Sequence, residues 1–98
     1  MSEIAMIVKL PAAEGKADEL LAAVQKLVAA TEDEAGTLQY VVHTEESDPN
    51  VVWFYERYAD KDALDTHSGS AAMAEAMTAF AEVAAMPAFR TVTRTRGQ

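Results

Sequence analysis

The apolar and polar positions along the chain alternate in two periods, and the switches between them mark out the elements. EIAMIVKL at positions 3–10 is rich in β-branched and large apolar residues and runs into Pro11, which predicts a first strand with a turn over residues 11–15. Ala17, Leu20, Leu21, Val24, Leu27 and Val28 then recur at the i, i+3, i+4, i+7 spacing of one apolar helix stripe. Glu14, Asp18 and Glu19 stand near its start, where the helix dipole favours negative charge. Gly36 is expected to stop it in the left-handed conformation. TLQYVVHTE (37–45) and VVWFYERY (51–58) predict a hairpin whose turn is Ser47-Asp48-Pro49-Asn50. Asp60 is placed to cap a short helix through Ala63, Leu64 and His67, and Ser68-Gly69-Ser70 breaks it. A longer helix follows, with Met73, Met77, Phe80 and Val83 or Ala84 on its apolar side. Pro87 ends that helix, and AFRTVTRTR (88–96) is the last strand.

The order β-α-β-β-α-β, with its second helical segment split, predicts an α+β ferredoxin-like sandwich forming a single domain over residues 1–98. Its four-stranded antiparallel sheet would carry the helices on one face. Side chains alternate across a strand, so Val52, Phe54, Glu56 and Tyr58 share one face and Val51, Trp53, Tyr55 and Arg57 the other. Ile4, Met6, Val8 and Leu10 are likewise opposed by Ala5 and Ile7. Helices cover one face only, which leaves Val51, Trp53, Tyr55 and Ile7 as an apolar patch larger than monomers usually expose. The expectation is a homodimer of the dimeric α/β barrel type, packed sheet to sheet.

Composition narrows the function classes. The 98 residues contain no cysteine, which excludes disulfides, thiol nucleophiles and thiolate metal sites and fits a reducing compartment. A net charge of −8 repels phosphate backbones, so nucleic acid is not an expected partner. The N-terminus lacks a basic flank and a long apolar run, and no stretch nears the roughly 20 apolar residues of a membrane span. A soluble, cytoplasmic protein without membrane contact is expected. Arg90, Arg94 and Arg96 cluster near the C-terminus, where they either solubilise an exposed end or meet an anion or a subunit.

Candidate chemistry centres on Glu56 and His67. On the helix-facing side of its strand, Glu56 would point into the interior, where a carboxylate needs a partner or stays protonated. His67 on the short helix is the expected partner, either as general acid or base of an apolar pocket or as structural glue between helix and sheet. His43 and Glu45 share a face of their strand but lack a third ligand, and read as hairpin surface; no metal site is expected. Met73 and Met77 suit the core or the pliable wall of a pocket. Phosphate-loop motifs and a nucleophile elbow are absent.

Glu34-x-Gly36-x-Leu38-x-Tyr40, followed after the hairpin by Tyr55-Glu56-x-Tyr58-x-Asp60-x-x-Ala63-Leu64-x-x-His67, resembles the antibiotic biosynthesis monooxygenase superfamily over nearly the whole chain. The resemblance implies a ligand held between sheet and helices, with Tyr40, Phe54, Tyr58, Leu64, Met73 and Met77 as substrate contacts and His67 and Glu56 as catalytic groups. Phe54 stands where a cofactor-free polyketide monooxygenase of the family has a polar residue, and Leu64 where it has a tyrosine. The loop Ser68–Ala72 lacks the second histidine of the quinol monooxygenase and signal-processing branches. The haem-degrading branch needs a first-strand asparagine and a last-helix histidine, which this sequence does not offer. The implied activity is oxygenation of a quinol or polycyclic phenol without a cofactor, on a small aromatic or hydrophobic molecule. The alternatives are isomerisation of a small phosphorylated carbonyl compound, with the C-terminal arginines as the cationic source, and a non-enzymatic dimeric module that binds a small molecule.

Overall fold

The computed structural model describes residues 3–85 and 88–97. Strand β1 (Ile4–Pro11) leads to helix α1 (Ala17–Thr31), the hairpin β2 (Thr37–Glu45) and β3 (Asp48–Tyr58), helices α2 (Lys61–Ser68) and α3 (Ala71–Val83), and strand β4 (Phe89–Arg94). The strands form one antiparallel sheet in the order β2-β3-β1-β4. This is the ferredoxin-like α+β fold that the element order predicts, with the second helical segment split into α2 and α3.

Register explains how the sheet presents two unlike faces. Val52, Phe54, Glu56 and Tyr58 of β3 lie opposite Leu10, Val8, Met6 and Ile4 of β1, and opposite Thr44, Val42, Tyr40 and Thr37 of β2. Directly opposed residues share a face, and this one is covered by the helices. Leu20, Val24 and Leu27 of α1, and Ala76, Phe80 and Val83 of α3, bury against it with Leu10, Val52 and Phe54.

Three local expectations are corrected. Gly36 does not terminate α1, which ends at Thr31 with Glu32 in the right-handed helical region; Gly15 alone among the described residues has positive φ, at 75°. Gly36 serves close approach instead, because a Cβ there would lie 2.5 Å from the Cβ of Ala63 on α2. The hairpin turns at Glu46 and Ser47 rather than across residues 47–50. Asp48-Pro49-Asn50 belongs to β3, where the pairing shifts register between Thr44 and Glu45 and a proline without an N–H is tolerated. The buried line of α3 runs through Ala76, Phe80 and Val83, and Met77 is 51% exposed. Ala76 is small enough to bring α3 close to α1, which turns Met77 off the core. The expected helix stop at Pro87 lies outside the described residues.

The two helix starts after β3 follow from side-chain chemistry. Asp60 accepts a hydrogen bond from the Ala63 N–H at 2.9 Å, and Ser70 accepts one from the Met73 N–H at 3.0 Å. On the uncovered face the chain shields part of its own apolar surface. The Trp53 indole N–H donates to Glu45 at 2.9 Å, and the Lys9 ammonium sits 5.5 Å from the Trp53 ring centre. Arg57 holds Glu3 with two guanidinium nitrogens and donates to Gln39. Val51 is buried, so the patch is narrower than expected and centres on Tyr55, which is 38% exposed.

Candidate active site

A cavity of about 140 Å³ lies between the helix-covered face of the sheet and the helices. Its floor comes from Met6, Val8 and Leu10 of β1 with Phe54 and Glu56 of β3; Leu27, Met73 and Phe80 close it from the helices. Tyr40 stands beside Glu56 in register and packs edge-on to Phe54 at 5.9 Å between ring centres. Met77 and Arg90, both exposed, mark the side on which it opens. Arg90 projects toward the cavity because β4 places it opposite Val8.

Five of the residues singled out in the sequence (Tyr40, Phe54, Glu56, Met73 and Met77) line this cavity. Tyr58, Leu64 and His67 are not among its lining residues. The expected Glu56–His67 bond is replaced by two separate pairs. The Tyr58 hydroxyl donates to Glu56 Oε1 at 2.5 Å. His67 Nδ1 meets Glu34 Oε1 at 2.9 Å, an oxygen that also accepts from the Thr37 hydroxyl at 2.8 Å. Because that oxygen acts as acceptor, Nδ1 is the protonated nitrogen. The loop after α1 therefore supplies the partner of His67, because α2 rests on that loop at Gly36 and turns the imidazole toward it.

His67 is 1% exposed, with the Tyr40 and Tyr58 rings at 5.2 and 5.3 Å. Its Nε2 is buried and has no hydrogen-bond partner among the described residues. An unpaired imidazole nitrogen in such a place carries a desolvation cost. His67 and Glu56 interact electrostatically without a hydrogen bond between them among the described residues. Glu56 is 2% exposed. Burial pushes its carboxyl above the ordinary range; the Tyr58 hydrogen bond, His67 and the Arg90 charge act against that, and Glu34 adds to it. Burial, then the Glu56 carboxylate, raise the Tyr40 and Tyr58 hydroxyls well above the ordinary tyrosine value, so both phenols stay protonated donors. The group is thus a buried carboxyl of raised pKa held by one phenol, flanked by a second, at the wall of an apolar chamber.

Glu34 is not assigned to a site in the sequence, and Arg90 enters there only with Arg94 and Arg96 as the cationic source of the isomerase reading. Glu34 ends the acidic run Glu32-Asp33-Glu34, and its role follows from the contact with His67 of α2. His43, by contrast, is exposed on β2, and Glu45 is taken up by Trp53.

The four-stranded antiparallel sheet with an apolar chamber and one carboxyl under its helices defines a ferredoxin-like α+β protein with a candidate ligand site. The sequence profile described as antibiotic biosynthesis monooxygenase matches residues 3–79, and the chain belongs to that family. Among solved structures, PA3566 from Pseudomonas aeruginosa superposes with a TM-score of 0.92 at 23% identity, covering 99% of this chain and 97% of that one. Rv0793 from Mycobacterium tuberculosis gives a TM-score of 0.92 at 23% identity over 99% and 98% of the two chains. A structure described as antibiotic biosynthesis monooxygenase gives 0.88 at 19% identity over 96% and 99%. At these identities the likeness is one of fold. No curated protein matches the sequence. Among the described residues no helix is long and apolar enough to cross a membrane.

Proposed function

We propose that the protein is a cofactor-independent monooxygenase that oxidises a quinol or related phenol in the chamber beneath its helices. The observation that carries this reading is Glu56: a carboxyl of raised pKa, hydrogen-bonded by Tyr58, in an otherwise apolar wall. The ionised fraction of such a group is a strong base for its surroundings, since accepting a proton relieves its desolvation. A hydroquinone bound against Phe54 and Met73 gives Glu56 a phenolic proton, and the resulting anion passes electrons directly to O₂. A C–O bond forms, the O–O bond breaks, and hydroquinone plus O₂ become hydroxyquinone plus water. The substrate supplies all four electrons, so the reaction as written needs no external reductant. The chain contributes orientation, exclusion of water and a tuned carboxyl.

The cavity volume favours the smaller of the expected substrates. Cavities of about 150 Å³ accept one benzene ring, so a one-ring quinol fits where a polycyclic phenol would require the Met73 and Met77 wall to yield. His67 acts behind Glu56 as a positioning residue, since it does not line the chamber. The experiment is oxygen uptake with a panel of quinols on wild type, Glu56→Gln and His67→Ala. Loss of turnover in Glu56→Gln with retained quinol binding supports the reading; full turnover in that variant removes Glu56 from the reaction.

The protein acts as a homodimer. Tyr55, with Ile7 and Trp53 partly exposed beside it, lies on the face that no helix of the described residues covers, and a second copy packed sheet to sheet would bury it. Light scattering at micromolar concentration tests this; a monomer mass refutes it.

A further inference from the structure

The chamber holds one feature that oxidation of a neutral quinol does not use. Among the described residues that line it, Glu56 is the one carboxyl and Arg90 the one cation. Its placement follows from topology. β4 is an edge strand, and Arg90 opposite Val8 faces the chamber at its open side. Among the described residues it makes no hydrogen bond or ion pair. The contrast with Arg57 is instructive: on the opposite face that guanidinium is held by Glu3 and Gln39. In a chain with sixteen acids against eight bases, an arginine at a cavity mouth whose charge reaches Glu56 without a hydrogen bond or ion pair among the described residues is poorly explained by folding alone.

We infer that the ligand of this chamber is a one-ring aromatic acid, and that Arg90 sets the specificity by pairing with its carboxylate at the mouth. The inference rests on the reading of the chamber as an aromatic-binding site and adds the class of substrate. The ring lies among Phe54, Phe80 and Met73, whose rings and thioether suit an aromatic face. A guanidinium presents a planar fork that matches a carboxylate in two parallel hydrogen bonds. A phosphate would bring a second charge, for which the lining has no second cation. Orientation follows from the same geometry: with the acid held at Arg90, the far end of the ring points inward, toward Glu56 and Tyr40. A hydroxyl there is the group whose proton Glu56 is placed to take.

Isothermal titration of the full chain with 4-hydroxybenzoate and with its neutral isostere 4-hydroxybenzamide tests the inference, on wild type, Arg90→Gln and Arg90→Lys. Wild type is expected to bind the acid more tightly than the amide by about tenfold or more. Arg90→Gln should abolish that preference by weakening the acid far more than the amide, and Arg90→Lys should keep part of it. Since Arg90 is exposed, the thermal midpoint of Arg90→Gln should match wild type. Equal affinities in wild type, or a preference that survives in Arg90→Gln, overturn the inference while amide binding leaves the aromatic chamber standing. Failure of both compounds to bind overturns both. Binding of the acid without oxygen uptake by hydroxylated analogues supports the inference and tells against the monooxygenase.

Discussion

Gly36→Ala tests whether α2 is seated by steric contact with the loop between α1 and β2. The added carbon would lie 2.5 Å from the Ala63 Cβ and 3.4 Å from the Ala63 Cα. Carbon–carbon contacts are favourable only from about 3.5 Å, so the overlap approaches 1 Å. Ala63 Cβ is fixed to the helix backbone and no rotamer change relieves the clash; α2 or the loop has to move. Two effects oppose each other. Gly36 does not have positive φ, so alanine is unstrained there, and the stiffer unfolded chain favours the variant by about 0.4–1 kcal/mol. Overpacking costs about 1–3 kcal/mol. The net expectation is a loss of about 1–2 kcal/mol, read in urea denaturation as a midpoint lower by roughly 1 M. Ala63→Gly removes the opposing methyl. It should cost about 1 kcal/mol by itself as a helix glycine, but in that background Gly36→Ala should cost nothing. A Gly36→Ala protein as stable as wild type, or one with the same loss in both backgrounds, would refute the argument.

Further expectations follow from the same coordinates. The raised carboxyl of Glu56 means the folded state holds its proton to higher pH than the unfolded chain, so this group's contribution to stability falls as pH rises above its ordinary value of 4.5. Glu56→Gln should therefore gain stability relative to wild type between acid and neutral pH, measured as the difference in urea midpoints; a difference that shrinks with rising pH contradicts the assignment. Asp60→Ala removes the cap of α2 and should cost about 1 kcal/mol, visible as a lower thermal midpoint. Leu20→Ala, at a position with no exposed surface, should cost about 2–5 kcal/mol in the same denaturation assay.

The strands and helices were legible because each segment's period matched its burial. The even positions of β3 face the helices as their alternation requires, and Asp60 caps α2 as its chemistry requires. What periodicity could not reveal was which neighbour each polar group meets. Nothing in the spacing of Glu56 and His67 distinguishes a direct bond from two flanking pairs, because the outcome depends on how α2 rests on Gly36. Glu34 is not recognisable as the partner of His67 for the same reason. The misplacement of Met77 has a different origin: a hydrophobicity pattern counts methionine above alanine, whereas the contact of α3 with α1 selects the small Ala76 for the interior. Arg90 was visible as charge, and only the strand order turned it toward the chamber.

Leu10, Leu27, Phe54 and Phe80 belong at once to the hydrophobic core and to the chamber wall, while Met77 and Arg90 stand in solvent. Substitutions that alter admission can thus accumulate at little thermodynamic risk, whereas any that widen the interior draw on the same contacts that keep the chain folded. Divergence among proteins built this way should concentrate at the doorway, with the room behind it changing slowly.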